Sequence, residues 1–513
     1  MSKRSPSPSP QRSVKRRHTS EFDNGQHWIN SANFDESLSD ELILVIFSYL
    51  TWVDLCVIQS TNRNWGRLAT DNQLWKDLYL GQYGRGRLRG SRGFLGRRDG
   101  KEVKPLPGPS RHFRPPSVDF RNWKWMFRIS LNWQRGRCCI ENLTSDGAGP
   151  LSQSGVVAKI PIVLAGSLTI TTSSNLSTSP SIFLYRPSTA PHTIQESYVT
   201  KYPTRLTTLT LDQSRPTDKE HEVRLAAFYE TGEFAVFLID HQAPSTSRRL
   251  YTYVPTSKTP RTSPITQAVY HHPLLITLSK TFHLSIYNVS EDRVVHSQTL
   301  TSFTSFPPTS LVLSATSITS FKLVLAYAVP VYPAHWSVAV TELTISSASP
   351  STPFAVKSTR STRASDFPSG WVDEASVQSV REQWSRKVGR VADTQTDGKW
   401  VVLAPAEGAN TLQLYRLHLP NTSNANASPR LTFVRALHGH TGLVSSLALA
   451  DGRCVSFGAD GSLWVWDLEK GWSTEVQKAY KPADPSVLGT VVFDERRIIS
   501  ADSRGMEVRR FDI

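Results

Sequence analysis

Residues 437–469 read LHGHTGLVSSLALADGRCVSFGADGSLWVWDLE, and this stretch decides the fold. Leu443, Val444 and Leu447 form a short apolar run that stops at the turn Ala450-Asp451-Gly452. Val455 and Phe457 form a second run that stops at Asp460-Gly461, and Leu463 to Trp466 form a third, ending in Trp466-Asp467. Asp-Gly pairs between alternating apolar runs are hairpin signals, because glycine supplies the positive φ that tight turns need. The stretch therefore predicts three short antiparallel strands joined by tight turns.

The Gly439-His440 to Trp466-Asp467 unit resembles a WD repeat, one blade of a β-propeller. His440, Ser456, Asp460 and Trp466 include the residue types of a hydrolase triad, but no Gly-x-Ser-x-Gly elbow surrounds Ser456. The resemblance implies a structural tetrad of hydrogen bonds that tethers the Asp460-Gly461 turn to neighbouring strands. Eroded units surround it. They end in Ile182–Tyr185, Phe234–Phe237, Leu284–Tyr287, Trp336–Val340 and Leu412–Tyr415, and the chain stops just past Phe511-Asp512. With Trp466 and Phe511 these ends number seven, so seven blades are expected, eight being the alternative. Seven blades over 137–513 leave room for insertions, the largest a disordered segment near 347–383, rich in Ser, Thr and Pro. Because the last strand coincides with the last residues given, a strand at about 137–142 (RCCIEN) is expected to complete the final blade and close the ring.

Upstream, residues 38–79 read as helices. Ser39 stands as an N-cap before Asp40 and Glu41, followed by a helix that is apolar nearly all round: Leu42, Ile43, Ile46, Phe47 and Leu50, with Leu44, Val45 and Tyr49. So apolar a helix in so small a unit needs a covering partner. Thr51 with Asp54, and later Asp71, supply cap chemistry. The run Leu38-Ser-Asp-Glu-Leu-Ile-Leu-Val-Ile-Phe-Ser-Tyr-Leu50, then Asp54-Leu55, then Thr61-x-Arg63-x-Trp65-x-x-Leu68-Ala69-x-Asp71-Asn72-x-Leu74-Trp75, resembles an F-box. It departs from that family at Ser39, where Pro is usual, and at Asn62, where Cys is frequent. The resemblance implies docking to a Skp adaptor, and through it to a cullin scaffold. Leu38, Leu42, Ile46, Phe47, Leu50, Leu55, Trp65 and Leu74 are the residues it assigns to that patch and its supporting core.

The net charge of +15 would suggest a nucleic-acid binder were it spread over a folded face. It is not. Residues 1–20 hold six Lys/Arg and no acid, and residues 85–114 hold ten Lys/Arg against Asp99 and Glu102, which together account for +14. Both stretches are rich in Pro, Gly or Ser and poor in apolar residues, as solvated chain is. Lys3-Arg4 and Lys15-Arg16-Arg17 are spaced like a bipartite nuclear import signal, giving an expectation of nucleus and cytoplasm. Phe120, Trp123, Phe127 and Trp133 follow helical spacing up to Gly136.

The expected organisation is multidomain, α plus all-β: a disordered basic tail at 1–34, an F-box at 35–82, a disordered basic linker at 83–118, a linker helix at 119–136 and a seven-bladed β-propeller at 137–513. The four cysteines show no Cys-x-x-Cys spacing and no phosphate loop or metal-ligand cluster is visible, so no cofactor, metal site or catalytic residue is expected. No apolar run approaches the roughly 20 residues of a membrane helix, and none follows the N-terminus as a signal peptide would. The F-box and WD-repeat resemblances together imply the substrate receptor of a Skp–cullin–F-box ubiquitin ligase, its target a protein that is phosphorylated in some relatives. Arg205, Arg224, Arg453 and Arg504 lie in the repeat region, but nothing in the sequence places them on a binding face, and the substrate site is left open. The alternatives are a non-ligase F-box scaffold and an RNA- or chromatin-associated factor acting through 85–114.

Overall fold

Alternating apolar residues bounded by Gly, Asp and Pro turns produce short antiparallel sheets throughout the C-terminal part of the chain. The structure is a computed structural model that describes residues 38–83, 122–143 and 159–513, apart from short stretches within the last range, the longest being 365–373 and 379–387. The basic tail, the import-signal residues and residues 84–118 of the expected linker lie outside the described residues; Tyr83, expected to open that linker, is instead helical. Two units are distinguished, dividing between Leu74 and Trp75.

The first unit contains three short helices and the start of a fourth: α1 (Asp40–Ser48), α2 (Trp52–Ile58), α3 (Arg63–Leu68) and α4 (Asn72–Tyr83), within which the division falls. Ile43, Phe47, Leu55, Leu68, Ala69 and Leu74 are its buried residues. Phe47 meets Trp65 edge-to-face at 5.8 Å, and Arg67 of α3 joins Asp40 of α1 at 2.5 Å.

The second unit is built on seven four-stranded antiparallel sheets. Six are continuous in sequence, spanning residues 162–195, 206–253, 265–301, 306–363, 391–438 and 444–477, which are blades 1 to 6. The first strands of consecutive sheets neighbour one another, and the ring closes between Thr490–Phe493 and Ile162–Ala165. Blade 7 takes three strands from 490–510 and its outermost from Cys139–Asn142, with Cys139 opposite Arg510 and Asn142 opposite Glu507. The apolar core lies between blades, as in the layer of Ile276, Leu278, Ile286, Leu313, Phe321 and Leu323 shared by blades 3 and 4.

Each run read from the sequence as the end of a unit falls in the third strand of its blade, or at Phe511 just past it, and in blades 1 to 6 the fourth strand follows in sequence. The quoted stretch 437–469 is therefore offset from the blades: Leu437 and His438 finish the outer strand of blade 5, and the remainder belongs to blade 6. The insertion expected to be disordered near 347–383 is corrected in part. Ala355–Arg363 is the outer strand of blade 4, paired with His335–Ser346 from Ser346↔Ala355 to Ala339↔Arg363. Its alternating small polar and basic residues suit an edge strand, with charge guarding the open side.

A fifth helix, α5 (Trp123–Arg135), lies where residues 119–136 were expected to form one. The Asn122 side chain caps it by accepting from the Trp125 amide at 3.0 Å, and Gly136 ends it at φ 65, a left-handed turn that glycine adopts without strain. Trp75, Tyr79 and Tyr83 of α4 meet Phe127, Trp123 and Phe127 respectively, with ring centroids 5.3–5.4 Å apart. The helix is seated on the propeller by Trp133. Its ring stacks on Phe511 at 4.0 Å, its Nε1 donates to the Glu495 carbonyl at 2.9 Å, and the Arg453 guanidinium lies 4.3 Å from its centre. Asn132 donates to the Phe511 carbonyl at 2.8 Å. Glu495 itself is fully enclosed there, and burial holds its carboxyl well above the usual carboxylate range.

Candidate functional site

The helical unit is shaped by its caps. Thr51 and Asp54 form a reciprocal capping box at the start of α2. Asp71 accepts from the amides of Gln73 and Leu74 at 2.9 and 3.1 Å. Asn62, the departure from the F-box pattern, caps α3 by accepting from the Trp65 amide at 2.8 Å. Ser39 occupies the N-cap position of α1 but makes no side-chain cap bond, contrary to expectation. Its hydroxyl instead contributes, after a backbone N–H, to holding the Glu41 carboxyl below its usual range.

These caps fix which apolar residues turn inward. Of the eight residues assigned to the patch and its core, Phe47, Leu55 and Leu74 are buried, Leu38, Leu50 and Trp65 are half-buried, and Leu42 and Ile46 are exposed. The exposed set is larger than that assignment. Val45, Tyr49, Val53 and Val57 also face solvent, Tyr49 at 85% and Val57 at 62%, against 52% for Leu42. The signal was present in the spacing. Leu42, Val45, Ile46 and Tyr49 follow i, i+3, i+4, i+7 along α1 and its C-cap, and Val53 and Val57 are one turn apart on α2. Six large apolar side chains on two consecutive helices of so small a unit make a face built to be covered.

The second predicted cluster sits between strands of blade 6. Trp466 Nε1 donates to Ser456 Oγ at 2.8 Å, and Ser456 Oγ lies 2.6 Å from His440 Nε2. The partner of His440 Nδ1 is Ser462 Oγ at 2.9 Å, a residue the sequence reading did not include. Asp460 makes no direct bond to His440: it accepts from the Ser462 amide at 2.9 Å and from the Thr441 hydroxyl at 3.3 Å. The expected tetrad is thus a relay in which Ser462 stands between Asp460 and His440. The small side chain of Ser462 follows Gly461, whose φ of 82 tightens the turn and brings the hydroxyl over the imidazole. With Trp466 donating to Ser456, the serine hydroxyl donates onward to Nε2 and Nδ1–H donates to Ser462, so one neutral tautomer satisfies the chain. Burial lowers the His440 pKa to about 4, with the Asp460 charge acting in the opposite direction. Ser456 is fully buried and spends its hydroxyl on this network, which ties three segments of the blade together.

The arginines divide between the two ends of the blades. Turns joining second to third strands, and loops entering first strands, open on one face, here called upper; α5 sits at the opposite end. Arg205 is on the upper side, paired with Glu230 at 3.1 Å. Arg224 pairs with Asp212 at 3.4 Å towards the lower side, where Arg453 lies over Trp133. Arg504 lies outside the described residues. Among the described residues no group of His, Cys, Asp and Glu is arranged to hold a metal ion, and no helix is long and apolar enough to cross a membrane.

A family model described as the F-box protein pof12 beta-propeller matches residues 188–489, more than half of the chain, and one described as F-box-like matches residues 37–81. No match is found among curated proteins. The helical match covers the unit carrying the exposed apolar face, and the propeller match runs from blade 1 to the loop entering blade 7. The chain belongs to the F-box protein pof12 β-propeller family, with an F-box-like domain ahead of a seven-bladed propeller.

Proposed function

We propose that this protein is the substrate-recognition subunit of a Skp–cullin–F-box E3 ubiquitin ligase, its F-box docking the Skp adaptor and its propeller holding the target. The observation that carries the reading is the uncovered apolar face of Leu42, Val45, Ile46, Tyr49, Val53 and Val57 on a unit whose family docks an adaptor. The protein performs no chemistry itself. It contributes proximity, raising the effective concentration of target lysines beside a charged ubiquitin-conjugating enzyme. In this reading the propeller is a WD-repeat wheel whose His440–Ser456–Trp466 relay serves stability, and the basic clusters Lys3-Arg4 and Lys15–Arg17 direct part of the population to the nucleus.

The test is affinity purification of the intact chain and of a Leu42/Ile46/Leu50→Ala variant. The reading predicts adaptor and cullin with the intact chain, and neither with the variant. Adaptor without cullin would make the protein a non-ligase scaffold, and neither with the intact chain would overturn the docking role. Deleting residues 1–20 from a fluorescent fusion should abolish nuclear accumulation; unchanged accumulation would remove the import signal.

A further inference from the structure

The turn between the second and third strands of blade 3, residues 279–283, holds Phe282 at φ 63, a region that bulky side chains rarely adopt. The turn keeps this geometry because the Phe282 ring is buried, edge-to-face with Tyr327 of blade 4 at 5.6 Å. With Phe282 turned inward, Lys280 and Thr281 are turned outward, and both are exposed. Their positions are fixed. The Lys280 amide donates to the Pro264 carbonyl at 2.9 Å. Thr281 Oγ1 lies 2.9 Å from Ser263 Oγ and 2.7 Å from His283 Nδ1. A strained turn that the surrounding packing over-determines is a reason to ask what it presents.

Beside it stands an apolar corner. His283 is paired with Thr301 in the next strand, and two residues on, Phe303 is 91% exposed in a loop braced by a 2.8 Å bond between Ser302 and Ser305. Phe306 follows, also exposed and edge-to-face with Trp336 at 5.5 Å. All these loops open on the upper face. The described residues of this corner (263–264, 279–283, 301–306 and 335–336) include Lys280 and two histidines but no Asp or Glu.

We propose that this corner binds a short unmodified peptide segment in which a carboxylate side chain stands next to a bulky apolar one. The apolar side chain covers Phe303 and the Phe306–Trp336 pair; the carboxylate meets the Lys280 ammonium. Charge complementarity selects this occupant, since the Lys280 ammonium borders an exposed aromatic surface whose described residues include no carboxylate to compete. Among the described residues of this corner Lys280 is one exposed lysine, too few cations for a nucleic-acid backbone, which needs a row of them. The inference names the target chemistry for the proposed receptor and rests on the propeller being its target-binding end.

The test selects short unmodified peptides from a displayed random library on the full chain. It then measures the winners by fluorescence polarisation against wild type, Phe303→Ser, Lys280→Glu and Lys280→Arg. Selection should enrich Asp or Glu beside Leu, Phe or Trp. Phe303→Ser and Lys280→Glu should each weaken binding about tenfold or more, and Lys280→Arg should retain it. Because these positions are exposed, the variants should melt with wild type. No acidic–apolar consensus, winners unaffected by Phe303→Ser and Lys280→Glu, or a poly(U) oligonucleotide that binds and is lost in the same variants would each overturn the proposal. Adaptor binding is measured on the same samples, so a failure there counts against the ligase reading and leaves the peptide result standing.

Discussion

Replacing Arg497 by alanine should loosen the propeller at one seam. Its guanidinium reaches from blade 7 to the first turn of blade 1, donating to the carbonyls of Ser167, Gly166 and Leu168 at 2.9, 3.0 and 2.9 Å, while its Nε donates to Asp494 at 3.0 Å. Removing one partner of a buried charged pair typically costs about 3–5 kcal/mol. Two features place this case at the lower end. Gly166 and Ser167 are exposed and their carbonyls can be rehydrated, and Asp494 keeps the amides of Arg496 and Arg497 at 2.8 and 2.9 Å. The expected loss is about 3 kcal/mol. At roughly 2 cal/mol/K of unfolding entropy per residue, a propeller of this size should melt about 4 °C lower. Arg497→Lys should recover less than half, because an ammonium cannot present a planar fork to three carbonyls. Denaturant unfolding gives the magnitude and hydrogen exchange gives the place: amides of residues 162–172 and 490–502 should lose protection before those of blade 4. A change below about 0.5 kcal/mol, or protection lost evenly around the ring, would refute a seam clamp.

Other perturbations test the remaining supports. His440 is held neutral in the fold at a pKa of about 4 against an ordinary 6.5, so the unfolded chain takes up its proton first as pH falls. That contribution leaves stability unchanged above pH 6.5 and destabilises progressively down to about pH 4, reaching about 2 kcal/mol near pH 5. Unfolding midpoints compared at about pH 7 and pH 5 should converge between wild type and His440→Gln; an undiminished gap at the lower pH would contradict a buried neutral imidazole. Trp133→Ala removes the ring stacked on Phe511 and the bond to the Glu495 carbonyl, and should destabilise by about 3–5 kcal/mol. Limited proteolysis should then cut within residues 123–142 first; unchanged resistance would deny the helix its seat on the propeller.

Blade 6 was legible because its turns are spelled out by Asp451-Gly452 and Asp460-Gly461, and its third strand ends in Trp466-Asp467. The offset between sequence unit and blade was not, since the strand Arg430–His438 runs directly into the Gly439-His440 that opens the repeat-like unit, and nothing in its composition assigns it to the blade before. Ala355–Arg363 was missed for a related reason. Ser, Thr and Arg in alternation have the composition of a solvated loop, and only pairing with the long strand His335–Ser346 makes them an edge. In the helical unit the apolar spacing was plain, but which faces were inward depended on caps, and Asn62 read as a flaw where it is the cap of α3. Ser462 had no sequence signal at all. It enters the His440 relay because the turn at Gly461 carries it there.

The central claim is that the face formed by α1 and α2 grips a Skp adaptor, and the most direct measurement is titration of purified adaptor into the intact chain by calorimetry. The account predicts a tight complex that Tyr49→Asp with Val57→Asp weakens at least about a hundredfold, with a negative heat-capacity change in wild type and an unchanged melting curve in the variant. Equal affinity in the two proteins, or no heat of binding to wild type, would contradict it.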